Sequence, residues 1–106
     1  MILKKLLQKN LKMSNLKFFI ISENKNTDSV ALKYANILRN NNYCTICGFS
    51  YKSIKSNMKY AHKKKSDYVI LIFNNEIILK NMKLSNQEKI TFDKLIKKFD
   101  LHYKIE

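Results

Sequence analysis

Apolar residues in this chain cluster into short runs of strand length. Three such runs, at residues 17–22, 43–47 and 67–73, are rich in aromatic and β-branched side chains, a composition typical of β-strands. The third run is almost wholly apolar, as expected of a strand that is buried on both faces of a sheet. A fourth strand is predicted within residues 78–86, after a polar loop that ends in Glu76. The pattern therefore predicts a sheet.

The segments between and after these strands have the spacing of amphipathic helices. Each segment places apolar side chains three or four residues apart on one face. The three faces consist of Val30, Tyr34, Ile37 and Leu38, of Ile54, Met58 and Ala61, and of Phe92, Leu95, Ile96 and Phe99. Asn26 or Thr27 is predicted to cap the first helix, and the second is predicted to begin near Ser53. The order β-α-β-α-β-β-α predicts an α/β fold, a three-layer sandwich with a mostly parallel sheet.

The N-terminal segment, residues 1–16, has a different pattern from the rest of the chain. Its apolar side chains form one helical stripe with lysines opposite, and it contains no acidic residue. The stripe consists of Ile2, Leu3, Leu6, Leu7 and Leu11. We predict a basic amphipathic helix that packs on the domain or on a partner. A targeting presequence is the alternative, although presequences are usually rich in Arg and Ser. Residues 17–106 are predicted to form one α/β domain.

The balance of charge indicates a polyanionic partner. The 106 residues carry 21 Lys and Arg against 8 Asp and Glu, which is a formal net charge of +13. A chain this short with such an excess is expected to bind nucleic acid or an anionic membrane surface. No apolar run approaches the roughly 20 residues that a membrane-spanning helix needs, so no transmembrane segment is predicted.

The choice of residue types indicates an AT-rich genome. Arg39 is the single arginine, glycine occurs once and proline never, whereas lysine, asparagine and isoleucine are abundant. AT-rich genomes include those of organelles, so we expect a mitochondrial or other organellar location, with the cytoplasm as the alternative. Cys44 and Cys47 make no disulfide framework, which favours a reducing compartment.

Signals for catalysis, metals and cofactors are weak. Cys44 and Cys47 have the spacing of a redox or zinc half-site, but they lie within a predicted strand and no second pair exists. Both are therefore predicted to be buried structural cysteines. His62 and His102 have no Ser, Cys or paired acid placed to work with them. A single glycine excludes a phosphate-binding glycine loop. We predict a protein that is not an enzyme and that uses no cofactor and no metal.

Lysines crowd around the second predicted helix. They are expected to neutralise RNA phosphates, which gives affinity with little sequence information. These candidates are Lys52, Lys55, Lys59, Lys63, Lys64 and Lys65. Phe49 and Tyr51, at a strand end, either stack on unpaired bases or fill the core and its edge.

Two stretches, "ALKYANILRNNNYCTI" and "SIKSNMKYAHKKKSDYVILIFNNEI", carry a resemblance to a known family. They resemble the anticodon-binding domain of class II aminoacyl-tRNA synthetases, and the histidyl kind most of all. That family has an "LR" before a strand, a "YA" at the end of a lysine-rich helix, and an acid that closes the next strand. Here these features are Leu38-Arg39, Tyr60-Ala61 and Glu76. The resemblance covers about residues 17–100.

The resemblance implies a non-catalytic module that binds the anticodon stem and loop of tRNA. It implies that Glu76 contacts a base, with Lys80, Lys83 and Ser85 as its neighbours. The chain also departs from the family pattern. Phe73 stands where the family has a glycine before the acid, and asparagines at 40–42 replace the glycine after "LR".

Three functions are open on the sequence. The first is a structural component of an organellar ribosome, which binds rRNA beside other ribosomal proteins. The alternative is the anticodon-binding domain of a histidyl-tRNA synthetase, with tRNA and the rest of the synthetase as partners. The third is a non-catalytic accessory subunit of the mitochondrial DNA polymerase type, which would bind duplex DNA.

Overall fold

The protein is described here by a computed structural model, which covers residues 16–103. The predicted basic helix at residues 1–16 lies outside the described residues, apart from Leu16. In chain order, the elements are β1 (Lys17–Ser22), α1 (Lys25–Asn40), β2 (Cys44–Gly48), α2 (Ile54–Lys63), β3 (Tyr68–Ile72), β4 (Ile77–Asn81), β5 (Asn86–Ile90) and α3 (Phe92–Lys98).

The sheet is mixed, which corrects the prediction of a mostly parallel one. Its strand order is β2-β1-β3-β4-β5. β1 is parallel to both β2 and β3, whereas β3 with β4 and β4 with β5 are antiparallel pairs. The connections after β3 and β4 are short, and a short loop can join only antiparallel strands. The parallel part of the sheet therefore consists of β1, β2 and β3, the strands that α1 and α2 connect.

β5 is a strand that the sequence pattern did not predict. It adds a fifth strand, so the order is β-α-β-α-β-β-β-α. Its sequence, NQEKI, is polar, and of its side chains only that of Ile90 is buried. β5 lies at the sheet edge and pairs with β4 from Asn81↔Asn86 to Ile77↔Ile90. Backbone pairing with β4 makes this segment a strand. Its sequence has too few apolar residues to show the alternation of apolar and polar side chains by which a strand is predicted.

Two separate apolar clusters cover the two faces of the sheet and confirm the three layers. Phe18 and Ile20 of β1 point into the larger cluster, with α1 and α3. Phe19 and Ile21 point the other way, into a smaller cluster that Ala61 of α2 closes. Alternate strand side chains face opposite sides of a sheet, so one apolar run serves both cores. This explains why polar and apolar side chains do not alternate along β1 and β3.

α1 begins two or three residues earlier than predicted. Asn24, not Asn26 or Thr27, is its N-cap, and the Asn24 side chain accepts hydrogen bonds from the amides of Asn26 and Thr27 at 2.8 and 3.2 Å. The Asn24 amide donates to the Thr27 hydroxyl at 3.1 Å, which completes a capping box. α2 begins at Ile54 with Ser53 as its N-cap, as predicted.

Candidate nucleic-acid interface

One edge of the sheet gathers the features that the sequence associated with base recognition. The three parallel strands β1, β2 and β3 end there, and β5 ends there too because it also runs antiparallel to β4. The helices that follow these strands begin at the same edge, which we call the carboxyl edge. Helix N-termini carry partial positive charge, which favours anionic ligands.

Glu76 lies at the carboxyl edge, in the tight turn between β3 and β4. The Phe73 amide donates to the Glu76 carbonyl at 2.9 Å, which closes the turn. Asn74, within the turn, accepts a hydrogen bond from the Asn24 side chain at 3.1 Å, and Asn24 caps α1. The turn that carries Glu76 is thereby tied to the turn that begins α1.

The Glu76 side chain is accessible and has one ionic partner in the described residues. Its carboxylate lies 3.3 Å from the Lys89 ammonium, and its side chain is 39% exposed. A pair this exposed holds the carboxylate weakly, so a ligand can replace it at little cost. A carboxylate at such a position accepts hydrogen bonds from the amino or imino groups of a nucleobase.

A groove of about 520 Å³ opens beside Glu76. Its floor is apolar, formed by Val30, Tyr34, Ile72, Ile77 and Ile90. Its rim is polar and is formed by Asn26, Asn74, Asn75, Glu76 and Thr91. An apolar floor with amide and carboxylate groups at the rim suits a planar base, which has apolar faces and a hydrogen-bonding edge.

The predicted lysines do not all lie near Glu76, because α2 carries them from one sheet edge to the other. α2 joins the parallel strands β2 and β3, so it runs back from the carboxyl edge to the amino edge. Its 10 residues extend about 15 Å. Lys52 and Lys55 lie at the carboxyl edge, whereas Lys63, Lys64 and Lys65 lie at the far end. Lys59 lies between these two groups. All six are exposed.

None of the neighbours predicted for Glu76, which are Lys80, Lys83 and Ser85, is found in contact with it among the described residues. Lys80 lies on β4 opposite Val69, on the face that α2 covers, and is half-buried. Lys83 and Ser85 lie beyond the end of β4, at the amino edge, where the Lys83 ammonium is 3.9 Å from Asp67. The structure therefore does not bring Lys83 or Ser85 to Glu76. Lys89 of β5 lies there instead, and it was missed because β5 was not predicted.

The two cysteines lie on opposite faces of β2. Cys44 is exposed, so the prediction that both cysteines are buried is wrong for Cys44. Cys47 packs against the larger cluster. Burial raises the pKa of the Cys47 thiol to about 11, against the opposing charge of Arg39. The thiol is protonated at neutral pH, so the two cysteines do not make a reactive pair.

Residues 16–103 offer neither a metal site nor a membrane-spanning helix. They contain no cluster of three His, Cys, Asp or Glu side chains that could hold a metal ion. They also contain no helix with the length and apolar character that crossing a membrane requires.

Comparisons with known proteins show which proteins the chain is similar to. No protein-family model matches the chain. The histidine–tRNA ligases of Staphylococcus saprophyticus and of a Staphylococcus aureus strain are 30% identical over 86 residues and 32% identical over 90 residues. These matches cover 76% and 80% of this chain. They cover 20% and 21% of the ligases, so the chain spans about a fifth of the length of the curated relatives it matches.

Solved structures agree with the sequence matches. Apo histidyl-tRNA synthetase of S. aureus superposes with a TM-score of 0.69 at 30% identity, over 83% of this chain and 27% of that one. The resemblance to the histidyl-type anticodon-binding domain is confirmed. The RNA binding domain of threonyl-tRNA synthetase from Cryptosporidium parvum has a TM-score of 0.71 at 20% identity, over 80% of this chain and 23% of that one. Histidyl-tRNA synthetase from Nostoc also has a TM-score of 0.71, at 15% identity, over 92% of this chain and 27% of that one. These two show the fold alone.

The confirmed resemblance supports one of the functions predicted from the sequence better than the others. All of these relatives are synthetases, which favours the tRNA alternative over the ribosomal component that was predicted first. The ribosomal prediction finds no support in these matches, and neither do ribosomal partners. The domain division at residue 16 and the organellar location stay predictions.

Proposed function

We propose that this chain is a tRNA-binding domain of the histidyl type, which contacts the anticodon with its carboxyl edge and supplies no catalytic group. The observation that carries the proposal is the match to histidine–tRNA ligases at 30–32% identity over most of the described fold. The threonyl relative with the same fold is named an RNA binding domain, which supports the same use. The synthetase reaction itself would belong to the remainder of such a protein.

At the carboxyl edge and along α2, hydrogen bonding and charge are supplied by different residues. Glu76 projects from a closed turn beside a groove with an apolar floor, so it can accept a hydrogen bond from one base. The exposed lysines of α2 attract any phosphate backbone and do not distinguish one sequence from another. Base selection therefore depends on Glu76, and overall affinity depends on the lysines.

Replacing Glu76 tests the proposal, because losing a base contact and losing a negative charge have opposite effects on RNA affinity. Glu76→Gln removes a negative charge, so binding to RNA in general strengthens slightly. The preference for a stem–loop RNA with the histidine anticodon over a stem–loop with altered anticodon bases falls by about 1 kcal/mol, because the neutral amide oxygen of glutamine accepts a weaker hydrogen bond than the carboxylate does. Fluorescence anisotropy with the two labelled stem–loops measures both quantities.

Glu88→Gln is the matched control for this experiment. Glu88 is an exposed acid on β5, opposite Leu79 and away from the carboxyl edge. Its replacement makes the same change of charge, so it reproduces the general increase in affinity and leaves the preference between anticodons unchanged. Equal preference before and after Glu76→Gln would sink the proposed role of Glu76. Failure of the unmodified chain to bind either stem–loop would sink the proposed function.

A further inference from the structure

Tyr51 is exposed to an extent that folding does not explain. It is 81% exposed, more than the other large apolar side chains on the described surface, which are Leu32, Tyr60 and Leu84. It lies in the loop between β2 and α2, at the carboxyl edge. An aromatic ring left in water contributes almost nothing to the core, so the Tyr51 ring is free to contact a partner.

The loop that presents Tyr51 is held firmly on both sides. The Ser50 amide and hydroxyl donate to the Asp28 carboxylate at 3.0 and 2.8 Å, which attaches the loop to the first turn of α1. The Asn57 side chain donates to the Phe49 carbonyl at 3.3 Å, which attaches the loop to α2. The backbone around Tyr51 is therefore preorganised while its ring stays free, which lowers the entropy lost on binding.

The Asp28 carboxylate is suited to this anchoring role. Partial desolvation raises the pKa of Asp28, but hydrogen bonds from Ser22 and Ser50, together with the charge of Lys25, outweigh it, so the net pKa is lowered. Asp28 is ionised at neutral pH and keeps its two hydrogen bonds to Ser50.

Cations and aromatic rings alternate beside Tyr51. The Lys52 ammonium lies 6.0 Å from the centre of the Tyr51 ring and 5.8 Å from that of Tyr60. The Lys64 ammonium lies 5.4 Å from the Tyr60 ring, whose edge meets Phe19 at 5.8 Å between centroids. Rings that stack on bases beside cations that bind phosphates are the combination that binds single-stranded nucleic acid.

A row of lysines continues this surface along α2. Lys55, Lys59 and Lys63 recur every four residues on the side of α2 away from the buried Asn57 and Ala61. No acidic residue occurs between positions 29 and 66. The ion pairs found among residues 16–103 use Lys83 and Lys89, not these lysines. Tyr51 and Tyr60, with Lys52, Lys55, Lys59, Lys63 and Lys64, form what we call the α2 ridge.

We propose that the α2 ridge binds unpaired nucleotides of the RNA that Glu76 contacts, with one base stacked on Tyr51 and the adjoining phosphates on the lysines. This inference rests on the proposed function and adds a second contact to it. β2 and β3 lie on either side of β1, so Tyr51 and the turn of Glu76 are at least two strand spacings apart, about 10 Å. Nucleotides adjacent to the one at Glu76 can span that separation along the same edge.

A single tryptophan at position 51 tests the stacking directly. The chain has no tryptophan, so Tyr51→Trp introduces one fluorophore at an exposed site. We expect a stem–loop RNA with the histidine anticodon to quench its fluorescence, because the indole stacks on a base. Leu84→Trp is the matched control, since Leu84 is 69% exposed and lies past β4 at the amino edge. Its fluorescence is expected to stay unchanged when the same RNA binds.

Affinity measurements with the full chain complete the test. Tyr51→Ala is expected to weaken binding about fivefold or more, and Tyr51→Phe to bind like the unmodified chain, because stacking needs the ring and not the hydroxyl. The proposed role of the α2 ridge would be overturned if a Tyr51→Trp chain binds RNA without quenching, or if a Tyr51→Ala chain keeps its affinity. Either result leaves the Glu76 experiment unaffected. A chain that binds no stem–loop at all overturns the ridge and the proposed function together.

Discussion

Three of the four non-glycine residues with positive φ in residues 16–103 directly follow a helix. These residues are Asn42, Lys65 and Asp100, with φ of 70°, 57° and 51°. After α3, the Asp100 amide donates to the Lys97 carbonyl at 3.3 Å, and the Leu101 amide donates to the Ile96 carbonyl at 2.9 Å. This is the usual helix ending in which glycine is preferred, because a Cβ is strained at positive φ. The chain has a single glycine, so none of these three helix endings is marked by a glycine in the sequence.

Asp100→Gly is expected to stabilise the protein. Glycine relieves the strain at φ 51°, and the change also removes an acid from the negative end of α3. The glycine makes the unfolded chain more flexible, which offsets part of the gain. We expect the free energy of unfolding to rise by about 0.5–1 kcal/mol, measured by urea denaturation.

Asp93→Gly is the control for Asp100→Gly. Asp93 lies in the first turn of α3, where an acid is favourable and where glycine has a low helix propensity. The same exchange there is expected to lower the free energy of unfolding by about 1 kcal/mol. If both substitutions destabilise the chain, the backbone at Asp100 is not strained.

At the scale of elements, the sequence predicted those whose side chains enter a core and missed the one whose side chains do not. β1 and β3 are buried on both faces and show as apolar runs in the sequence, whereas the three helices each bury one face and show a helical period. β5 buries only Ile90 and is a strand because β4 offers it backbone partners. The position of Lys89 depends on β5, so it could not be predicted, whereas the antiparallel direction of β4 follows from the short turn after β3.

Gly48→Ala tests how closely α2 packs on the sheet. A Cβ on Gly48 would lie 2.8 Å from the Asn57 side chain of α2 and 2.8 Å from the ring of Phe19. Both neighbours are buried, so the added methyl group forces the helix and the strand apart. We expect a loss of about 1–3 kcal/mol in the free energy of unfolding, measured by urea denaturation.

Cys44→Ala provides the comparison on the same strand. Cys44 is exposed, so its replacement is expected to change the free energy of unfolding by less than about 0.5 kcal/mol. A Gly48→Ala chain as stable as the Cys44→Ala chain would show that α2 can move away from β2 without cost.

At the scale of the whole molecule, the sequence predicted the sign of the charge and the structure supplied its arrangement. A net charge of +13 implies a polyanion wherever the lysines lie. The position of Glu76 after β3 followed from the resemblance, and the structure places it at the carboxyl edge. Lys83 and Ser85, only a few residues further along the chain, lie at the opposite edge because β4 reverses direction. Separation along the sequence could not show that Glu76 lies at one edge of the sheet and Lys83 and Ser85 at the other, because that depends on the strand pairing.

The arrangement of lysines makes the salt dependence of RNA binding a test of where the RNA lies. Lys55→Gln with Lys59→Gln removes two charges from the α2 ridge, and Lys97→Gln with Lys98→Gln removes two exposed charges from α3, on the opposite face of the sheet. Each lost phosphate contact lowers the slope of log K against log salt by about 0.7–0.9. We expect the ridge pair to lower the slope by about 1.5 and the α3 pair to leave it nearly unchanged, in titrations of one stem–loop at several salt concentrations. Equal losses for the two pairs would mean that the RNA responds to total charge and not to a surface on α2.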